Sequence, residues 1–265
     1  MARFLVRGSG DIGSAIALRL RSRGHAVILH DVPRPAHARR GMSFTDALFD
    51  GTCTLEGTFA KRASGADSLG RMLACGGALP VSDAPFDEVL PEVLPDVLVD
   101  ARVHKHGTPE ALLGLAPVSI GLGPGFVAGV NADLVIETAW GEALGQVIRS
   151  GSARSYSGEP RAIAGHGRDR YVYAPAEGEF RTALAIGDPV RKGEVVAHVG
   201  QEAILAPLDG ILRGITHDGA RVAAGTKVVE VDPRGDPASA FGVSERPERI
   251  ASAIIEATSS LPSRA

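Results

Sequence analysis

RFLVRGSGDIGSAIALRLRSRGHAVILHD, residues 3–31, is the stretch whose reading decides the fold. An apolar run at 3–7 breaks into glycines, an amphipathic stretch follows at 15–24, and a second apolar run occupies 26–30. Ile16, Leu18 and Leu20 supply the apolar side of the middle stretch, Arg19, Arg21 and Arg23 the charged side, and Gly24 stands where a helix C-cap belongs. The order is strand, helix, strand. Gly8-Ser9-Gly10-Asp11-Ile12-Gly13 sits between that strand and that helix, the context in which a G-x-G-x-x-G run carries meaning. In that motif the first glycine allows a tight turn, the second lets a pyrophosphate approach the backbone, and the third lets helix and strand pack closely. The helix N-terminal N–H groups then face an anion. Asp31 closes the second strand, where a carboxylate binds a ribose hydroxyl pair. Arg34, Arg39 and Arg40 follow it and suit a 2′-phosphate, so NAD and NADP both remain open. The competing reading is a turn that needs glycine only for packing, with the arginines on a solvated face.

Further apolar runs at 53–57, 78–82, 96–101, 117–122 and 133–138 are continuous and aliphatic, as parallel strands buried on both faces require. The expectation is an α/β domain over 1–145, a Rossmann-like doubly wound parallel sheet that binds a nucleotide along its carboxyl edge. A second glycine turn, Gly121-Leu122-Gly123-Pro124-Gly125-Phe126, follows one of these runs, and its amides are expected to converge on an anion. Asp100, Arg102, Lys105 and Glu137 fall at the same edge, two cations for an anionic ligand and two carboxylates for ribose, metal or proton work. Asp100, Lys105 and Glu137 are the candidate catalytic groups. Taken singly, each also reads as an ordinary solvated or paired charge. His104 and His106 form an H-x-H without an evident third ligand, and no metal site is assigned.

The second half carries an internal duplication. Residues 174–199, APAEGEFRTALAIGDPVRKGEVVAHV, align without a gap to residues 206–231, APLDGILRGITHDGARVAAGTKVVEV. The shared positions are Ala-Pro, turn glycines and alternating valines, the grammar of short strands and tight turns. Two halves of this kind are expected to close on each other as a small all-β unit over 170–235, reached through a connecting β/loop segment at 146–169. The pattern resembles the biotinyl/lipoyl carrier domain, a barrel-sandwich in which a lysine at the tip of the joining hairpin receives the cofactor. Here the joint, Gly200 to Leu205, holds no lysine, so a docking surface, lid or spacer is expected rather than a swinging arm. The segment 236–265 reads as a C-terminal helix and tail, with Ser244 as N-cap and Ile250, Ile254 and Ile255 on one face.

The composition narrows the classes. A net charge of −3 leaves no basic stripe for a phosphate backbone, so no nucleic-acid partner is expected. No apolar run approaches the roughly 20 residues of a membrane span and no secretory leader is evident, which points to a cytoplasmic protein without a membrane partner. Cys53 and Cys75, in no metal or redox pattern, read as small buried apolar residues. A homodimer is compatible with this size.

Taken together, VRGSGDIGSAIALRL (6–20), PAHARRGMSFTDALFDGTCTLEG (35–57), DVLVDARVHK (96–105), IGLGPGFVAGVNADLVIET (120–138), APAEG, APLDG and VDPR (231–234) resemble the accessory proteins of the selenium-dependent molybdenum hydroxylase system. These are more distantly similar to Rossmann-type xanthine dehydrogenase maturation factors. The resemblance implies an accessory or maturation factor with a nucleotide-binding first domain, a client molybdenum enzyme as partner, and a ligand such as a molybdopterin nucleotide. It supplies no reaction and no catalytic residue, and nothing in the chain is selenium chemistry. Typical members end the second strand in Glu where this chain has His30-Asp31-Val32. The alternatives are an NAD(P)-dependent oxidoreductase of a small metabolite and a non-catalytic interaction module.

Overall fold

Alternate residues of β1 (Arg3–Arg7) belong to two different cores. In the computed structural model, which describes residues 1–104, 107–156, 158 and 160–259, Phe4 and Val6 pack under α1 (Asp11–Arg21), while Leu5 joins the opposite core. That is the period-2 consequence of a strand buried on both faces. β2 (Ala26–His30) repeats it, with Val27 and Leu29 on the α1 side and Ile28 on the other.

Beyond β2 come α2 (Ala47–Asp50), β3 (Thr52–Leu55), β4 (Thr58–Arg62), α3 (Leu69–Cys75), β5 (Leu79–Ser82), α4 (Phe86–Val93), β6 (Val97–Asp100), β7 (Val118–Leu122), β8 (Val127–Ala128), β9 (Leu134–Ile136), β10 (Val147–Ile148) and β11 (Gly151–Ser152). Nine of these strands form one sheet in the order β10-β9-β7-β6-β1-β2-β5-β4-β3, and β8 pairs with β11 separately. The chain first fills one side of β1, with β2 beside it and β3, β4 and β5 working back from the margin, then places β6 on the other side. The order therefore reverses between β1 and β6, where Arg7 stands opposite Asp100 in parallel register.

The duplicated half forms β12 (Tyr171–Tyr173), β13 (Gly178–Arg181), β14 (Pro189–Val190), β15 (Val195–Val199), β16 (Glu202–Leu205), β17 (Gly210–Ile215), β18 (Arg221–Val222) and β19 (Lys227–Asp232). They make two four-stranded antiparallel sheets, β12-β19-β17-β14 and β16-β15-β13-β18, around a separate core. A shift of 32 residues, the spacing of Ala174 and Ala206, carries β13 onto β17, β14 onto β18 and β15 onto β19. It also carries the pair β13–β18 onto β17–β14. α5 (Glu245–Thr258) then returns to α1, burying Ile250 and Ile254 completely, an apolar burial of about 1.5–3 kcal/mol for each side chain.

This is a mixed α/β fold, a large, mostly parallel nine-stranded sheet with additional antiparallel sheets, and it corrects the expected Rossmann-like doubly wound sheet followed by a lipoyl/biotinyl-like barrel-sandwich. A doubly wound sheet needs a helix over each parallel crossing. Among the described residues the connections from β6 to β7 and from β7 to β9 have none. Both margins are antiparallel, β3 against β4 and β10 against β9. The run at 53–57, read from sequence as one strand, turns back at Glu56 (φ 45°) and Gly57 (φ 76°), the paired positive φ of a tight hairpin. Cys75 is exposed rather than buried, and Cys53 is half-buried with its thiol pushed up to about 12 by burial. No helix among the described residues is long and apolar enough to cross a membrane.

The second glycine turn has a packing origin. Phe126 is fully buried and its ring lies where a side chain on Gly121 would be, so a Cβ there would overlap the ring. Gly121→Ala is expected to destabilise the protein by about 1–3 kcal/mol through overpacking, measured by urea unfolding. Combining it with Phe126→Leu should cost less than the sum of the single changes; strict additivity would show that the two residues do not compete for this space.

Candidate functional site

Each glycine of the first turn answers to a neighbour. Gly8 (φ 106°) lets the chain leaving β6 approach, since a Cβ would sit 3.1 Å from the Ala101 carbonyl carbon and the Arg102 nitrogen. A Cβ on Gly13 would overlap the Gly8 carbonyl oxygen, and one on Gly10 would stand 2.8 Å from the His37 ring. The amides around the turn are also taken. Ser9 donates its N–H and hydroxyl to Asp31 at 2.6 and 2.8 Å, and the Asp11 N–H donates to His37 Nε2 at 3.2 Å. His37 thus stands at the helix N-terminus, where an anion was expected, and Asp31, the expected ribose ligand, is engaged by Ser9. In the second turn the Gly123 N–H donates to the Ile136 carbonyl at 3.0 Å, and a Cβ there would meet Thr138 and Val103. The segment Ala101–Val103 lies against both turns.

The other candidates are placed as follows. Ile12 is buried in the α1 core. Gly125 (φ 86°) offers its carbonyl to Asn131, and Pro124 forms the tip of the same turn. Arg39 bridges Asp11 at 2.9 Å and Glu230 at 2.8 Å, while Arg40 donates to the Ile215 carbonyl at 3.0 Å and stands 3.5 Å from Asp46. Both arginines therefore reach the duplicated half rather than a ribose phosphate. Glu137 is buried and accepts from the N–H groups of Thr138, Ala139 and Arg154, which closes a loop. Lys105 and His106 lie outside the described residues. His104 Nε2 stands 3.5 Å from Asp100, and no group of three or more His, Cys, Asp or Glu among the described residues could hold a metal ion.

Two charged sites are assembled, one on each face of the sheet. On the α1 side, Glu230 of β19 is fully buried and four cations converge on it: Arg39, Arg170 at 2.6 Å, Lys227 at 2.9 Å and Arg213 at 3.3 Å. Burial alone would raise the Glu230 carboxyl, but Lys227 and Arg39 hold it well below the usual range. Asp11, the first residue of α1, is likewise held low, Arg39 and His37 outweighing its burial. The Tyr171 ring lies 4.5 Å from both Lys227 and Arg170, and its hydroxyl accepts from Arg170 at 2.7 Å. Arg246 of α5 donates to the Thr138 carbonyl at 2.8 Å and has no carboxylate pair among the described residues, although Asp11 and Arg39 both influence it. Asp11, His37, Arg39, Tyr171, Lys227 and Arg246 lie near enough to act on one another's charge, and the group is only partly covered, with the Lys227 side chain 23% exposed.

On the α4 side, Asp100 is fully buried and receives Arg102 in a two-pronged contact at 2.5 and 3.0 Å. Its carboxyl is held low, the hydrogen bonds from His104 and Arg102 overriding burial. Arg7 lies beside it, its guanidinium 3.8 Å from the Phe86 ring centre, and donates to Glu110 at 2.7 Å. Arg102 reaches the same Glu110 oxygen at 3.2 Å. An open depression of about 620 Å³ near the ends of β4 and β5, lined by Lys61, Arg62, Ser64 and Asp83 among others, contains none of these groups.

Sequence reading missed Arg7, His37, Glu110, Lys227, Glu230 and Arg246. One signal was present. The 32-residue shift sets Lys227 and Glu230 against Val195 and His198, so the second copy places charge where the first has an exposed valine and histidine.

No protein-family model matches the chain. An uncharacterized protein of Escherichia coli (strain K12), YqeB, is 41% identical over 254 residues, covering 96% of this chain and 46% of the relative, so the chain spans about half the length of the curated relative it matches. Among solved structures, a succinylglutamate desuccinylase/aspartoacylase from Rhodobacter sphaeroides aligns with 87% of this chain and 84% of its own at 18% identity and a TM-score of 0.27. The product-bound ectoine utilization protein EutE (DoeB) from Ruegeria pomeroyi aligns with 87% and 85% at 14% identity and a TM-score of 0.26. Scores of this size establish neither a common fold nor a common activity. The resemblance to the molybdenum hydroxylase accessory family finds no support in any of these comparisons and is withdrawn, together with the maturation role and the oxidoreductase alternative.

Glu230→Gln leaves the four cations around a neutral group. It is expected to destabilise the protein by about 3–5 kcal/mol, read as a fall in the urea midpoint. An unchanged midpoint would show that the cluster is not a tie between the two halves.

Proposed function

We propose that the chain binds a small anionic molecule in the cleft between the N-terminus of α1 and β19. Arg246, Lys227 and Arg39 are its cationic contacts and Tyr171 is its wall. The observation that carries this reading is the excess of positive charge there: Arg39, Arg170, Arg213 and Lys227 converge on Glu230, with Asp11 and Asp232 as the further carboxylates paired to Arg39 and Arg213, and Arg246 forms no carboxylate ion pair among the described residues. Each base around the space feels that excess. Burial pushes Lys227 down to about 8, and Arg39 adds to the shift against the pull of Glu230. Burial also lowers Arg246 and His37, with Arg39 acting in the same direction on both and Lys227 on His37. A bound anion would relieve each of these shifts, and displaced titrations gathered around one group of charges are a physical mark of a candidate functional site.

The ligand class is a small phosphate or carboxylate. A nucleotide, NAD and NADP included, enters this proposal only as one member of that class, with no hydride transfer attached, and a cytoplasmic setting is part of the same proposal. No bond is assigned to be made or broken. The chain's own residues account for the binding step: Arg246 and Arg39 orient the anion, Tyr171 shields it, and Lys227 takes up a proton as the anion arrives.

Calorimetry and thermal unfolding with orthophosphate, pyrophosphate, succinate and NAD test the reading. At least one probe is expected to bind, and at about 100 times its dissociation constant it should stabilise the protein by about 2.7 kcal/mol. Arg246→Ala should weaken that probe by about tenfold or more. Affinity should be full below the Lys227 titration and fall as pH rises through about 8, because the amine then loses the charge that holds the anion. Lys227→Met should remove this fall. Silence with all four probes, or an Arg246→Ala protein that binds like the wild type, would dispose of the proposal.

A further inference from the structure

Arg7 and Arg102 stand at the carboxyl ends of β1 and β6, where the strand order of the sheet reverses, and ligands of open α/β sheets lie in the crevice outside such a reversal. Arg7 follows Leu5 by two residues and so shares its face, turned away from α1 and its cleft. Both guanidinium groups are held from behind. Arg7 rests on the Phe86 ring with its side chain 6% exposed, and Arg102 is clamped by the buried carboxylate of Asp100. The next residue, Val103, is β-branched with a φ of 50°, a strained backbone that persists only where surrounding structure enforces it. Two oriented cations thus converge on one oxygen of Glu110.

Glu110 is their opposite in every respect. It is 65% exposed, sits outside any helix or strand, and meets both arginines through the same Oε2. Its carboxyl is lowered, chiefly by the hydrogen bond and charge of Arg7, so it stays ionised. Arg7 Nε is buried without an acceptor among the described residues, so Glu110 leaves part of the guanidinium's capacity unused.

We propose that Arg7 and Arg102 form a second anion site, for the carboxylate of a small metabolite, and that Glu110 occupies it as an internal stand-in which the ligand displaces. The chemistry of the occupant names the ligand: the group already resting there is a carboxylate on a short flexible stem. Only the carboxylate of the pair is exposed, so a free carboxylate that engages both held guanidinium groups exchanges with it from the solvent side. The site lies on the opposite face from the cleft of Lys227 and Arg246, and neither depends on the other.

Succinate binding to the full chain, followed by calorimetry, tests this. Glu110→Ala changes an exposed residue and should leave folding intact. It is expected to tighten succinate by about two- to fivefold, the range set by removal of a solvent-exposed competitor. Arg102→Gln should weaken succinate by about tenfold, and in the double variant the gain from Glu110→Ala should disappear. Affinity that is unchanged or weaker in Glu110→Ala overturns the proposal. So does loss of all succinate binding in Arg246→Ala with none in Arg102→Gln, because the anion would then sit only in the cleft on the other face. That second outcome leaves the α1-side reading standing, which keeps the two failures distinguishable.

Discussion

A buried carboxylate, Glu230, gathers four cations at the seam between the two halves of this molecule and ties them through Arg39. It reaches Arg39 from the loop after β2, Arg170 from the start of β12, Arg213 from β17 and Lys227 from its own strand. A charge without water around it is tolerated only when paired and hydrogen-bonded. The four elements must therefore arrive together. Arg39 then passes the constraint on to Asp11, the first residue of α1, and so to the turn that opens the helix. Backbone contacts follow the same path: the Ile215 N–H donates to the Ala38 carbonyl, and Gly41 lies so close to Ala240 that a Cβ would stand 2.7 Å from its carbonyl oxygen. The loop at 33–42 is thus less a connection than a strap, with His37 turned toward the helix and Ala36 packed on the duplicated core.

The duplication explains why this tie exists on one side alone. Both copies supply the same strands and the same buried valines, Val190 with Val222, Val196 with Val228, Val199 with Val231. Their outward residues differ. Arg181 in the first copy is exposed and pairs with Glu179 and Asp218, whereas its counterpart Arg213 is turned into the charge cluster. Symmetry is preserved where a core must close and broken where a neighbour must be met.

Much of the element order was legible because it depends on local patterning. The runs at 3–7 and 26–30 became β1 and β2, and the helix entered by Ser244 became α5, since apolar period and turn residues act over a few positions. The architecture was less legible. Continuous aliphatic runs do not disclose whether a connection carries a helix, and Glu56-Gly57 hides a hairpin because glutamate is an uncommon residue at positive φ. The glycine turns misled for a related reason. Gly8, Gly13 and Gly121 each answer a steric demand from a neighbouring chain segment or ring, and a sequence shows the missing side chain but not what fills the space. The charge clusters were hidden because Arg39 and Glu230 lie 191 positions apart. Two charges, Lys227 and Glu230, within a strand pattern were their one trace.

The two faces of the sheet gather the same chemistry and place it at opposite ends of an energetic scale. On one face, Glu230 has no exposure and four cationic neighbours, so losing it would strand charge in a dry interior. On the other, Glu110 is largely in water and holds its two arginines by a bond that solvent and salt weaken. Arginine is suited to both settings, since its planar fork keeps its charge and its geometry whether buried or half-wet. What separates a structural ion pair from an exchangeable one here is therefore not the cation but the exposure of the carboxylate that answers it. Glu230 is locked within β19, whereas the exposed Glu110 side chain stands on an irregular segment whose neighbours Pro109 and Leu112 stay buried while its carboxylate is free to swing aside.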